Sequence, residues 1–131
     1  MKSIIFLALL ALSLCGKRET VVDCAHEKIG TPYETLDCSG LVRYCYRRIG
    51  IELSTIAHAQ FERGKAVNSK AALKPGDIVG FYNNDGKKQP GHVGIFIGGD
   101  RYIHSPSRGK KVTYGTLSTN KNYFGGRNYI D

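Results

Sequence analysis

Residues 36–50, LDCSGLVRYCYRRIG, carry the clearest local pattern in the chain. The apolar positions of this stretch are Cys38, Leu41, Val42, Cys45 and Ile49. They recur at intervals of three and four, which predicts an amphipathic helix with one buried face. The arginines of the stretch fall off that face, and Gly50 is positioned to end the helix. We therefore expect a helix that begins at Cys38 and buries this stripe in the core.

The two cysteines of this stripe stand at different places along the predicted helix. Cys38 is at its N-terminus, where unpaired N–H groups and the helix dipole favour an anion, so its thiol is expected to lose its proton more easily than a free one. Cys45 lies in the middle of the stripe and is interpreted as a core-packing residue. Cys24, in the preceding segment, is interpreted in the same way. A Cys24–Cys45 disulfide is the alternative that an oxidising envelope would allow.

Shorter helical segments are predicted on both sides of this helix. Thr20 can cap a first helix with Asp23 as its capping-box partner, and Gly30 can end that helix before the turn GTPY. A third, shorter helix is predicted over residues 56–63. The first half of the chain is therefore expected to be helical.

The hydrophobic period changes to two in the second half of the chain. Strands are predicted over residues 77–82, 92–98 and 101–105, with weaker candidates at 111–114 and 126–130. Helices followed by strands favour an α+β domain. We expect N-terminal helices packed on a mostly antiparallel sheet of about five strands.

Two histidines on a predicted hairpin are the candidate bases for Cys38, because a thiol catalyst needs a base and an oxyanion site. His92 and His104 lie on neighbouring strands joined by a glycine-containing loop. A loop over residues 98–100 makes them diagonal neighbours on one face, about 7–8 Å apart. A loop over residues 97–99 makes them face each other directly, whereas a two-residue loop would put them on opposite faces.

The sequence gives little support for a metal or another cofactor. It contains no CxxC motif, and CAHEKIG lacks the second histidine of HExxH because Gly30 stands in its place. His26 and His58 lie on predicted helices without a partner and are interpreted as surface or half-buried residues. We expect no metal ligands and no cofactor.

Residues 1–15, MKSIIFLALLALSLC, are interpreted as a secretory signal segment. One lysine precedes an apolar run over residues 4–14, which is shorter than the roughly 20 residues that span a bilayer. A buried N-terminal helix is the alternative. The sequence LSLCGK resembles a bacterial lipoprotein signal with Cys15 as the lipidated residue, although Leu14 stands where a small residue is usual. The expected mature domain is residues 16–131, secreted or held in the bacterial envelope, with membrane attachment if Cys15 is lipidated.

The charge of the chain bears on its partners. The 131 residues include 19 Lys+Arg and 11 Asp+Glu, for a net charge of +8, and loss of residues 1–15 removes one lysine and leaves +7. Nucleic acid would explain this charge on composition alone, but an exported protein meets anionic envelope polymers and lipid head groups instead. The length fits one domain, which we expect to be monomeric and not to bind nucleic acid.

Three blocks of the sequence together resemble, in order and spacing, the signature of the NlpC family of cell-wall cysteine peptidases. These blocks are LDCSGLVRYCYRRIGIEL, LKPGDIVGFY and GHVGIFIGGDRYIHSPS, and the resemblance runs from about residue 22 to residue 130. It implies a papain-like α+β fold. It also implies thiol-dependent hydrolysis of amide bonds in peptidoglycan stem peptides, often between γ-D-glutamate and a diamino acid.

The resemblance also assigns individual residues. Cys38 corresponds to the nucleophile, His92 to the general base, and His104 to the third polar residue that orients the imidazole. The backbone N–H of Cys38 is expected to be an oxyanion donor. Tyr33 corresponds to a site residue near the thiol. Two further positions correspond to residues that line the substrate groove, Asp37 and Ser39.

Two departures from the family pattern leave the substrate preference open. Only ETL separates PY from DCSG, where many members carry WGG, and LSTIA at residues 53–57 replaces a block that often reads LPRTS. On the same fold, the alternatives are a muramoyl–L-alanine amidase or a lipid acyltransferase. A non-catalytic envelope-binding protein is the remaining alternative.

Overall fold

The computed structural model describes residues 16–131, in which two α-helices precede six strands of one sheet. Both helices pack on one face of the sheet, and every neighbouring pair of strands is antiparallel. The predicted α+β class is therefore confirmed, with six strands in place of about five. The predicted signal segment and Cys15 lie outside the described residues.

The elements follow one another in a simple order along the chain. The helices are α1 (Lys17–Glu27) and α2 (Cys38–Arg47). The strands are β1 (Lys65–Val67), β2 (Ile78–Phe81), β3 (His92–Gly98), β4 (Arg101–His104), β5 (Thr113–Thr116) and β6 (Tyr123–Asn128). Their order in the sheet is β1-β6-β2-β3-β4-β5. The hairpin β3–β4 therefore lies beside β2, within the sheet.

Helix α1 begins earlier than the sequence predicted. Its first residue is Lys17, and the Thr20 hydroxyl donates to the Gly16 carbonyl at 2.8 Å from inside the first turn. The prediction of Thr20 as the N-cap is thus wrong, because the backbone turn at Gly16 starts the helix without a side-chain cap. Within residues 16–131, no helix is both long and apolar enough to cross a membrane.

Helix α2 forms as its apolar pattern predicted. Asp37 caps it, with its carboxylate accepting the Gly40 N–H at 2.7 Å. This cap satisfies one of the free N–H groups at the helix start. The stripe from Cys38 to Cys45 is buried and packs on the sheet against residues of β3 that include Val93 and Ile95.

Several predicted boundaries differ from the structure. The helix predicted over residues 56–63 is one 3₁₀ turn, His58–Phe61. Strand β1 was not predicted, because a three-residue edge strand that pairs only with β6 shows no hydrophobic alternation. The two weak candidates form β5 and β6, which lie two residues later and about three residues earlier, respectively, than predicted.

A disulfide joins the two helices through Cys24 of α1 and Cys45 of α2, whose Cα atoms are 5.5 Å apart. The interpretation of these cysteines as separate packing residues is therefore wrong, and the alternative that the sequence left open is correct. Both residues are fully buried. The pairing depends on how α1 packs against α2, which neither helical pattern specifies on its own.

Candidate active site

Cys38 is the first residue of α2, and its side chain is almost fully buried, with 8% of the residue exposed. Within residues 16–131 it is the cysteine that remains free. Its thiol lies near enough to the backbone N–H of Val93, the residue that follows His92, for that group to favour the thiolate. The packing of α2 on β3 therefore brings the thiol to the start of the strand that carries His92.

Burial raises the pKa of the Cys38 thiol above its ordinary value. The backbone N–H groups of Val93, Ser39 and Cys38 itself favour the thiolate, but they do not offset the loss of solvent. The prediction that the helix N-terminus would ease deprotonation is therefore wrong for the ligand-free protein. The resting thiol is therefore protonated at neutral pH.

The hairpin β3–β4 brings His92 and His104 into direct contact. Nε2 of His92 and Nδ1 of His104 are 2.7 Å apart, a short hydrogen bond between two imidazoles. The predicted pairing of these residues on one face of the sheet is observed. One imidazole nitrogen of His92 is occupied by this bond, which leaves Nδ1 for the thiol.

The turn of this hairpin differs from the three-residue loops that the sequence predicted. Gly98 pairs with Arg101, so the turn has only the two residues 99–100, which alone would separate the histidines. A bulge at Ile97, between the paired residues Phe96 and Gly98, adds one residue and restores the register. The bulge thus keeps His92 and His104 on the same face.

Gly94 makes room for the second histidine. A Cβ added at this position would lie 2.8 Å from the Ile103 carbonyl oxygen and 3.1 Å from Cβ of His104. A side chain here would push β4 and its histidine away from His92. Gly94 lies two residues after His92, which puts both residues on one face of β3.

Aromatic rings pack against the two imidazoles, which are partly buried. The ring of Phe81, opposite His92 on β2, lies 5.8 Å from it between centroids, and the Tyr102 ring lies 4.8 Å from that of His104. Burial lowers the pKa of both His92 and His104 from 6.5 to about 4, and for His104 the neighbouring His92 adds to the effect. Both imidazoles are therefore neutral at neutral pH.

Ser105 links the hairpin to the segment that precedes Cys38. Its buried hydroxyl donates to the Leu36 carbonyl at 2.6 Å. Ser105 follows His104 directly, and Leu36 stands two residues before Cys38. This bond sets the distance between β4 and the start of α2. Sequence reasoning missed the role of Ser105 because the bond depends on tertiary packing.

A cleft of about 520 Å³ lies along the residues that flank Cys38. Its walls are formed by Tyr33, Glu34, Thr35, Leu36, Asp37, Gly40 and Arg108. Burial raises the pKa of the Tyr33 hydroxyl, and the nearby Cys38 and Asp37 raise it further. The structure thus brings two of the three predicted substrate-binding residues, Tyr33 and Asp37, into one cleft beside the thiol.

The third predicted substrate-binding residue, Ser39, is not among the residues that line this cleft. It is buried, and its hydroxyl donates to the Thr55 carbonyl at 2.8 Å. The Gln60 amide donates to the carbonyls of Ser39 and Ser54 and so links the first turn of α2 to the segment that contains Ser54. The observed contacts of Ser39 are therefore with the protein, and its contact with substrate stays a prediction.

The remaining histidines take no part in this site. Nδ1 of His26 is 3.0 Å from the Tyr114 hydroxyl, and His58 lies near Glu62. Across residues 16–131, no group of three or more His, Cys, Asp or Glu side chains is arranged to hold a metal ion.

The comparison with known families identifies the domain. The family model described as the NlpC/P60 family matches residues 14–127, which include the nucleophile candidate and both histidines. The chain belongs to the NlpC/P60 family. The resemblance seen in the sequence blocks is thereby confirmed.

Relatives of this NlpC/P60 chain carry hydrolase names. It is 39% identical over 107 residues to a gamma-DL-glutamyl hydrolase of Bacillus subtilis, with 75% of this chain and 25% of the relative aligned. It is 32% identical over 114 residues to the murein DD-endopeptidase MepH of Escherichia coli, with 77% of this chain and 42% of the relative aligned. The chain therefore spans less than half the length of either relative.

A solved structure confirms the NlpC/P60 fold. The crystal structure of an NlpC/P60 family protein from Bacillus cereus superposes with a TM-score of 0.79 at 29% identity and covers 87% of this chain. That match covers 40% of the Bacillus cereus chain. The helices on an antiparallel sheet are thus the family's architecture.

Proposed function

We propose that this NlpC/P60 domain is a thiol-dependent endopeptidase that cleaves amide bonds in peptidoglycan stem peptides, at the bond between γ-D-glutamate and a diamino acid. The observation that carries the proposal is the contact between His92 and His104 at the start of β3, where the Cys38 thiol also lies. The cleft beside the thiol supplies a place for the peptide. The relatives' names support a glutamyl or peptidoglycan substrate.

The protonation states of the resting site define the first step. The thiol carries its proton, because burial raises its pKa, and both imidazoles are neutral. If Nδ1 of His92 accepts the thiol proton, its Nε2 carries a hydrogen and donates it to Nδ1 of His104. His104 must then stay neutral, because an imidazolium has no lone pair to accept with.

Acylation follows from this arrangement. The Cys38 sulfur attacks the γ-carbonyl carbon while its proton moves to Nδ1 of His92. The backbone N–H of Cys38, in the first turn of α2, supports the negative charge on the carbonyl oxygen. The imidazolium of His92 then donates the proton to the leaving amine, the C–N bond breaks, and a thioester remains on Cys38.

Deacylation reverses the roles of the same groups. Water enters where the amine left, and His92 accepts a proton from it as the oxygen attacks the thioester carbon. The C–S bond breaks, the proton returns to the sulfur, and a carboxylic acid is released. The two half-reactions restore the neutral site, so no other reactant than water is needed.

Activity is expected to persist at mildly acidic pH and to fall only as the pH approaches about 4, the pKa to which burial lowers His92. Above that value the base is neutral and can accept the thiol proton. The measurement is kcat/KM for a soluble stem peptide across the acidic and neutral range. An acid limb centred near 6.5, the ordinary histidine value, would contradict the buried pair.

The same pKa shift predicts how stability depends on pH. Between pH 6.5 and about 4 the unfolded chain binds protons at His92 and His104 that the folded chain does not bind. The free energy of unfolding therefore decreases as the pH falls through this window. Denaturant unfolding at each pH of the activity profile separates this loss of stability from loss of the base.

His104→Ala is expected to lower kcat by about 10²-fold or more, because the His92 imidazole loses the acceptor that orients it. His104→Gln is the matched variant, since its side-chain carbonyl can accept the same N–H, and it is expected to retain much more activity. The measurement is kcat for the wild type and both variants as a function of pH. Equal losses in the two variants would show that His104 acts in some way other than as an acceptor.

Digestion of purified peptidoglycan, followed by mass spectrometry of the products, tests the proposed bond. The proposal requires new termini at γ-D-glutamate and at the diamino acid. New termini at D-alanine would instead match the bond named for the Escherichia coli relative. Release of whole stem peptides from muramic acid would indicate an amidase, and transfer of an acyl group without hydrolysis an acyltransferase.

We also propose that the domain acts outside the cytoplasm. Disulfides persist in oxidising compartments, and the Cys24–Cys45 disulfide supports export of the chain. The predicted signal segment at residues 1–15 agrees with this location. Fractionation of producing cells, with the intact mass of the recovered protein, tests it. A cleaved chain with added lipid mass would place Cys15 at a membrane, and an uncleaved cytoplasmic chain would overturn the proposal.

A further inference from the structure

Among the described residues 16–131, Arg108 is the one cationic residue in the wall of the cleft beside Cys38. It lies in the loop after β4, four residues beyond His104. Its charge acts on the Tyr33 hydroxyl and on the Glu34 carboxylate, and it lowers the pKa of both groups relative to a cleft without it. All three residues line the same cleft.

The loop that carries Arg108 is held firmly against the opposite wall. The Gly109 N–H donates to the Glu34 carboxylate at 2.9 Å, and the Tyr33 N–H donates to the Lys110 carbonyl at 3.0 Å. Behind these bonds, Val112 exchanges backbone hydrogen bonds with Gly30 and Thr31. The backbone that directly follows Arg108 is thus tied to the segment that leads into Cys38.

The two carboxylates of the cleft accept hydrogen bonds from the protein, whereas its guanidinium has no acidic partner in the described part of the chain. The Glu34 carboxylate accepts the Gly109 N–H, and the Asp37 carboxylate accepts the Gly40 N–H. Arg108, in contrast, forms no ion pair within residues 16–131, although both acids share the cleft with it. Glu34 joins the two walls and Asp37 caps α2, whereas the guanidinium donors remain available to a ligand.

We infer that Arg108 binds a free carboxylate of the substrate, and that this group is the α-carboxylate of the glutamyl residue whose γ-carbonyl Cys38 attacks. The inference rests on the proposed function. A γ-glutamyl bond leaves the α-carboxylate outside the main chain, a short aliphatic segment away from the reacting carbon. A guanidinium matches a carboxylate with two parallel N–H donors, which fixes orientation as well as charge.

The chemistry of the substrate supplies a sharp test, because amidation of this carboxylate, from γ-D-glutamate to γ-D-isoglutamine, removes its charge but keeps its shape. We expect the wild-type domain to prefer the free acid over the amide by about 10- to 100-fold in kcat/KM, which is the range of a charge-assisted hydrogen-bond pair. Arg108→Gln is expected to bring that ratio close to one, mainly by lowering the rate on the acid.

Lys110→Gln is the matched control. Lys110 is an exposed cation two residues away in the same loop, and it does not line the cleft. This variant is expected to keep the wild-type preference for the acid. Arg108 is also exposed, so both variants are expected to have the melting temperature of the wild type, which confirms that the comparison reports recognition rather than folding.

Three outcomes would overturn the inference. One is a wild type that does not distinguish the acid from the amide, and another is an unchanged ratio in Arg108→Gln. The third concerns peptides that differ only in amidation of their C-terminal carboxylate. If Arg108→Gln abolishes the preference between these peptides but keeps the preference between glutamate and isoglutamine, Arg108 binds the C-terminal carboxylate instead. Failure of the proposed function looks different, because the wild type would then hydrolyse neither the acid nor the amide.

Discussion

Cys38→Ala is expected to lower the hydrolysis of stem peptides by about 10⁴-fold or more, to the limit of detection. The variant removes the atom that forms the thioester, and His92 has no other nucleophile to activate in the same position. Because Cys38 takes no part in the disulfide, the fold is expected to remain. The measurement is a time course of product formation from a defined muropeptide by mass spectrometry.

Two further variants make this result specific to the thiol. Cys38→Ser keeps the size of the side chain and is also expected to be inactive, because a hydroxyl is a much weaker nucleophile with a neutral histidine as base. His26→Ala changes a histidine on the surface of α1 and is expected to retain full activity. Product formation by Cys38→Ala at a rate near that of the wild type would overturn the assignment of the nucleophile.

Reduction of the Cys24–Cys45 disulfide is expected to lower the free energy of unfolding by about 3 kcal/mol and the melting temperature by roughly 10–15 °C. The bond links residues 21 positions apart, so it restricts the unfolded chain strongly. It also joins α1 to the helix that begins with Cys38. Thermal unfolding of the wild type with and without reductant measures the effect directly.

The double variant Cys24→Ala/Cys45→Ala provides the second arm of this experiment. It is expected to unfold at the lower temperature in both conditions, and its stability should not respond to reductant. Cys38→Ala, which lacks only the free thiol, is expected to respond to reductant as the wild type does. A wild-type melting temperature that is the same in both conditions would contradict a stabilising disulfide.

The parts of the fold that could be predicted are those that local pattern specifies. The stripe of α2 and the alternation of β3 each need only the period of their own residues, and both elements appear where they were expected. The α+β class follows from the order of such elements. Strand β1 was not predicted because this exposed edge strand shows no alternation of apolar and polar residues. The early start of β6 was not predicted because glycines interrupt the strand pattern there.

The pairing of His92 with His104 was predicted correctly by reasoning that was only partly right. The sequence indicates a hairpin, but the length of its turn and the bulge at Ile97 depend on the register in which β4 pairs with β3. A turn of two residues without the bulge would have separated the two imidazoles. The position of one residue therefore decided whether the site could form.

By itself, the sequence determined the family, the fold class, the helix that begins at Cys38 and the residues available for catalysis, because these follow from residue identity and short-range period. The tertiary structure decided which cysteines bond, which groups are charged and which cation faces the cleft. Cys24 and Cys45 meet only when two helices pack. The Cys38 thiol keeps its proton only because burial outweighs the backbone donors around it. Arg108 belongs to the site because backbone bonds between distant segments hold its loop there, and such long-range contacts leave no local pattern in a sequence.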